Sequence, residues 1–238
     1  MHLRTDSPAT PAGTGAALPV PMVVRLLVVL SAAAGSLDVL CVTRLGGVFA
    51  SVITGNLVQL GHAVSTVDTQ LAVGGSAAVG GYALGVAAGT VALRRGGIGW
   101  RPRTSLVAAA ELVMLAGVVA GWRAVDAQPG RTTAPILLAL AATAMGVQSA
   151  VTISSGVPGA STTYLTGTLT DAVRALTGGS HRGMPTAAAI RLAALLCGAA
   201  VGALALRVTP LWAPVLPVAL VGAVVVAAAL GRDRREQR

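Results

Sequence analysis

The residues able to do chemistry in this sequence are few, and they sit in apolar surroundings. Asp38 and Glu111 are acids inside runs of Ala, Leu and Val. An acid within a membrane span costs about 2.5 to 3.5 kcal/mol on insertion scales and faces the bundle interior or a water-filled cavity. Thr54, Gly55 and Asn56 supply a hydroxyl, an unhindered backbone and an amide within one helical turn, which suits recognition of a polar group where regular helix breaks. Thr166, Gly167 and Thr168 repeat the arrangement more weakly, Gln148 offers a further amide, and Asp171 follows Thr166 by five residues. Together these residues predict a site for a small polar solute, with Asp38, Glu111 and Asp171 as ion-coupling groups. Each also has a plainer reading. Asp38 pairs with Arg44, the Thr, Asn and Gln side chains hydrogen-bond between helices, and Asp171 with Arg174 forms an i,i+3 helix pair, which for those last two is the preferred reading.

Other chemistries lack their residues. No HExxH, G-x-S-x-G or P-loop occurs, so neither a metalloprotease, a serine hydrolase nor a nucleotide cradle is indicated. His62 and His181 read as loop histidines, and Cys41 and Cys197 fall in apolar stretches without a CxxC partner, which argues against a zinc site or a disulfide framework. No catalytic residue, metal or cofactor is expected.

What must position these residues is a membrane. The 238-residue chain is 54% hydrophobic and 11% charged, against roughly 25% charged in a soluble domain, and its mean hydropathy is +0.78. The net charge is +9, all seventeen basic residues are Arg, and aromatics are 3%. Arg in short loops and at the ends, without stacking aromatics, fits membrane orientation and not nucleic acid.

A span needs about 20 apolar residues, and six segments qualify: Met22 to Val42, Gln70 to Leu93, Thr104 to Val125, Ala134 to Ile153, Pro185 to Arg207 and Leu211 to Leu230. Between them lie two shorter, more polar segments, Gly46 to Ala63 and Ser161 to Thr177. Residues 1–21 read as a disordered tail, with a cleavable signal ending at Ala32 to Ala34 the minor alternative. Residues 22–231 form one membrane domain and 232–238 a basic cytoplasmic tail.

The two halves match. Gly35 falls opposite Gly146 and Thr54 opposite Thr166, offsets of 111 and 112 residues. The chain therefore reads as an all-α integral membrane protein of two repeats, 22–125 and 134–231. If both short segments dip in and return, thirteen Arg gather on the cytoplasmic side, among them Arg191, and four (Arg44, Arg123, Arg131, Arg207) lie outside. Crossing by both segments gives eleven against six. The Arg bias favours the six-crossing form, in which the repeats are inverted, as in many secondary transporters. Eight crossings would make them parallel.

Gly35 and Asp38, Leu45-Gly46-Gly47-Val48-Phe49, Thr54-Gly55-Asn56-Leu57, Met145-Gly146-Val147-Gln148 and Thr163 to Asp171 resemble the YoaK family of bacterial inner-membrane proteins, a domain of unknown function. Ile53 stands where that family commonly has Met, and Ser149 where Asn often follows. The resemblance implies a multi-pass protein of the bacterial inner membrane with no settled activity. With both termini cytoplasmic, the expected partners are the lipid bilayer and a small polar solute, with a homo-oligomer left open. The leading expectation is a small-molecule secondary transporter or permease. The alternative is an accessory or structural membrane protein, and a membrane-embedded enzyme would need a catalytic pair that the sequence does not offer.

Overall fold

The computed structural model describes residues 17–157 and 185–236, with six isolated positions between them, Gly167, Leu169, Thr170, Val173, Arg174 and Thr177. Seven helices lie in the continuous stretches: α1 (Val20–Arg44), α2 (Ile53–Thr66), α3 (Thr69–Leu93), α4 (Pro102–Ala124), α5 (Thr133–Ser154), α6 (Pro185–Val208) and α7 (Val215–Glu236). All but α2 are long and apolar enough to cross a membrane.

Local sequence explains the boundaries. Pro102 opens α4 at its first position, where a missing N–H costs nothing. α1 stops at Gly46 and Gly47, whose φ values of +103° and +81° suit residues without a Cβ. The Asp68 carboxylate caps α3, accepting from the N–H groups of Gln70 and Leu71 at 3.0 Å each. α7 begins at Val215, four residues later than Leu211, because Thr209 to Pro214 form successive turns and Pro214 and Pro217 remove two donors. Two ends also extend beyond their expected limits. Leu18 is buried and its N–H bonds the Trp100 carbonyl at 2.9 Å, so the anchored chain starts before Met22, and α7 stays helical to Glu236.

Val67, between α2 and α3, holds φ 54° and ψ 33° with its side chain exposed. A β-branched residue in this left-handed region is a true outlier. Val67→Gly is expected to raise stability by about 1 kcal/mol, read as a higher melting temperature in detergent; an unchanged or lower value would refute the strain.

α1 and α5 are the inner helices, with 67% and 72% of their apolar windows buried against 22 to 39% for the other four. Each packs most closely on a helix from the other half of the chain, α1 on α6 and α3 on α5. The approaches are backbone to backbone. A Cβ on Gly35 would strike the Leu195 carbonyl, and one on Gly198 the Ala32 carbonyl. A Cβ on Gly146 would strike the Tyr82 carbonyl, and one on Gly85 the Thr143 carbonyl. In the sequence the Gly81, Gly85, Gly89 spacing marks such a contact.

The helix ends gather in two groups. At one, Gly99 N–H bonds Ser154, Arg232 Nη1 donates to Ser105 Oγ at 2.7 Å, and Trp100 Nε1 donates to the same oxygen at 3.0 Å. At the other, Trp122 Nε1 donates to the Pro210 carbonyl at 2.9 Å and Arg123 lies 4.2 Å from the centre of the Trp212 ring. Arg191, counted above among the cytoplasmic Arg, is buried on α6, and among the described residues its Nη1 has no hydrogen-bond partner.

Candidate functional site

The nonhelical stretch 45–52 is built into the protein interior. Leu45, Val48, Ala50 and Ser51 are all buried. Away from water, every backbone N–H and C=O in such a stretch needs a partner. Three helical side chains supply partners to residues 47, 49 and 51. The Asp38 carboxylate, from α1, accepts the Ser51 N–H at 2.9 Å on Oδ1 and the Ser51 hydroxyl at 2.5 Å on Oδ2. The Asn56 amide clasps Phe49 at both ends, accepting its N–H at 3.0 Å and donating to its carbonyl at 2.7 Å. Gln59 Nε2 donates to the Gly47 carbonyl at 2.8 Å. Residues 47, 49 and 51 are thus held in alternation, while Val48 and Ala50 between them are buried.

This arrangement answers the choice between partners for Asp38. It is spent on Ser51 and not on Arg44, whose side chain is exposed. Thr54 is exposed in the first turn of α2, Gly55 is half-buried against Val52 and Phe49, and Asn56 is fully buried. Asp38, Asn56 and Gly55 therefore come together around one loop. Ser51, Phe49 and Gln59 complete it. Nothing in their sequence spacing revealed the first two, since a partner thirteen residues from Asp38 depends on the path of the loop.

Leu45 and Gly46 share a hollow of about 210 Å³ with Thr69, Gln70 and Arg131, so the end of α1 and the beginnings of α3 and α5 meet there. Val48 contacts the position of Gly74, and Leu60 that of Gly75. α2 and α3 are therefore an antiparallel pair joined at Val67.

Gln148 lies in a different part of the interior. Its Nε2 donates to the Leu30 carbonyl of α1 at 3.3 Å, the interhelical bond that its plainer reading anticipates. Next to it, Ser149 accepts from the Tyr82 hydroxyl at 2.8 Å. Glu111 is fully buried on α4, and among the described residues neither carboxylate oxygen has a hydrogen-bond partner. The structure thus separates the candidate residues into a loop cluster around Asp38, an amide bridge at Gln148 and an isolated acid at Glu111. Gly167 is helical and half-buried; Thr166, Thr168 and Asp171 lie outside the described residues. His62 is exposed. Among the described residues no three His, Cys, Asp or Glu side chains gather as metal ligands would.

A family model described as a protein of unknown function (DUF1275) covers residues 26–227, and the resemblance to YoaK-type proteins agrees with it. No curated protein and no solved structure matches the chain.

Proposed function

The chain belongs to the DUF1275 family of proteins of unknown function, and from that premise we propose that it is a small inverted-repeat secondary transporter for a small polar solute. The observation that carries this reading is the exchange of partners between halves. Gly35 and Gly146 are 111 residues apart, and so are the Ala32 and Thr143 carbonyls against which the opposing glycines pack. Gly85 and Gly198, and likewise Tyr82 and Leu195, are 113 apart. Swapping the halves maps one helix crossing onto the other, which is the relation expected of two repeats about a pseudo-two-fold axis.

The short segment supports the six-crossing form. Fourteen residues of α2 reach about 21 Å at 1.5 Å per residue, short of a hydrocarbon core of about 30 Å. In this reading the loop dips to the depth of Asp38 and α2 climbs back out. Asp38 and Asn56 act on the solute indirectly, through the backbone they hold. Thr54, exposed in the first turn of α2, is the side chain offered to it. By the Arg bias, the end carrying Arg94, Arg95, Arg101, Arg103 and Arg232 is cytoplasmic, and the membrane is the bacterial inner membrane.

A second reading has its own support. Asp38 and Asn56 hold the chain's own Ser51 and Phe49, as in an accessory or structural bundle. Solute counterflow in proteoliposomes, with ligands first selected by thermal shift, separates the two. Saturable uptake with a higher KM in Thr54→Ala is the expected result; ligands that stabilise the protein without crossing would favour the accessory role. Topology is tested with single cysteines in a background lacking Cys41 and Cys197. Ser65→Cys and Asp126→Cys are expected to react with an impermeant thiol reagent in intact cells, and Ile98→Cys to be shielded. A shielded Ser65→Cys would mean that α2 crosses.

A further inference from the structure

Glu111 takes no part in the loop cluster, and its surroundings give it no fixed role. It sits nine residues into α4, about 14 Å along the helix from its start. It shares one buried stripe with Ala108, Leu115, Val118 and Trp122. Gly117 faces Leu140 and Gly121 faces Leu137, so α4 and α5 run antiparallel and Glu111 is level with Gly146. Leu112 against Gly222 sets it level with the middle of α7. It is therefore deep in the bundle and not near either end.

The helices packed on α4 are α3, α5 and α7. α5 has no ionisable residue from Thr133 to Ser154, and α7 has none from Val215 to Gly231. α3 has only Tyr82, whose hydroxyl is directed at Ser149. On α4 itself the neighbouring charges, Arg103 and Arg123, are exposed, eight and twelve residues away. Arg191, the one buried cation among the described residues, is on α6, which packs on α1. Among the described residues no counter-charge faces Glu111.

An acid kept in such a place at a cost of a few kcal/mol calls for a use. A sodium or calcium ion would need several oxygen ligands, whereas the side chains of the buried stripe around Glu111 are apolar. A proton needs only the carboxylate. We propose that Glu111 is a proton-binding site in the membrane interior, taking up H⁺ as Glu–COO⁻ + H⁺ → Glu–COOH, and that it is the coupling group of the transporter. The coupling half of this rests on the transport reading above; the proton site does not.

Two measurements on the full chain reconstituted in lipid test the two halves separately. In a pH titration followed by infrared spectroscopy, the wild type is expected to show the C=O stretch of a carboxylic acid that shifts in D₂O. That band is lost in Glu111→Gln and kept in Asp38→Asn. A titration indistinguishable between wild type and Glu111→Gln overturns the proton site. In proteoliposomes carrying a pH gradient, solute accumulation by the wild type is expected to be lost in Glu111→Gln while exchange without a gradient persists. Gradient-driven accumulation that survives in Glu111→Gln overturns the coupling. Loss of the infrared band in a protein that moves no solute supports the site and sinks the transport reading instead. Glu111→Gln keeps shape and is expected to fold; Glu111→Leu, read by the same titration, gives the same answer if it does not.

Discussion

Gly146→Ala is expected to prevent the bundle from closing. The added methyl would overlap the Tyr82 carbonyl and approach the Val86 nitrogen, and both belong to helix backbone that cannot rotate out of the way. Overpacking a well-packed core costs roughly 1 to 3 kcal/mol, and more where backbone must shift. Against a total stability of about 5 to 15 kcal/mol, a loss of 3 kcal/mol or more is expected, seen as a collapsed yield of monodisperse protein and a lower melting temperature. Gly198→Ala is expected to do the same through the Ala32 carbonyl. Gly80 is the internal contrast. It lies in α3, and a Cβ there meets nothing within 4 Å, so Gly80→Ala should gain up to about 1 kcal/mol of helix propensity. Equal behaviour of the Gly146 and Gly80 variants would show that the close approach is not what holds α3 to α5.

The second large effect is at Asp38. Asp38→Asn keeps an oxygen for the Ser51 N–H, and its amide can donate to the Ser51 hydroxyl, so the loop should survive at a cost of about 1 kcal/mol. Asp38→Leu strips the partner from both groups. Two buried polar groups left unmet at about 1 to 3 kcal/mol each predict a loss of about 3 kcal/mol. The loop should loosen with it, so that a cysteine placed at Ser51, buried in the parent protein, becomes reactive in the Leu variant and not in the Asn variant. If Asn and Leu behave alike, Asp38 is not the anchor of the loop.

The spans were legible because a twenty-residue apolar run has few alternatives in a membrane. Five of the six were placed within two residues at their starts, and the sixth missed only because three prolines between 210 and 217 delay α7. Residue spacing also exposed Asp38, Asn56 and Glu111, since a polar group in an apolar run stands out whatever the fold. Their partners did not stand out. Asn56 reads in sequence as a ligand-recognising amide, yet it grips Phe49, seven residues back, and only the path of the chain reveals that. Arg191 shows the opposite failure. One cation near the start of an apolar segment counts with the cytoplasmic Arg, and only the packing of α6 shows that it is buried. The pairing of α1 with α6 was equally hidden. Hydropathy reports how much of a helix avoids water and says nothing about which helix it meets, and the Gly81, Gly85, Gly89 spacing names a contact face without naming its partner.

The exchange of partners across the middle of the chain has a consequence for how the protein is made. During synthesis α1 is complete long before α6 leaves the ribosome, so the face carrying Gly35 has no matching surface for about 150 residues of translation. The first half therefore cannot finish on its own, and a fragment ending near Gly130 should be degraded when expressed alone. Supplied with a separately encoded second half, each would find its missing surface, and the split protein should assemble.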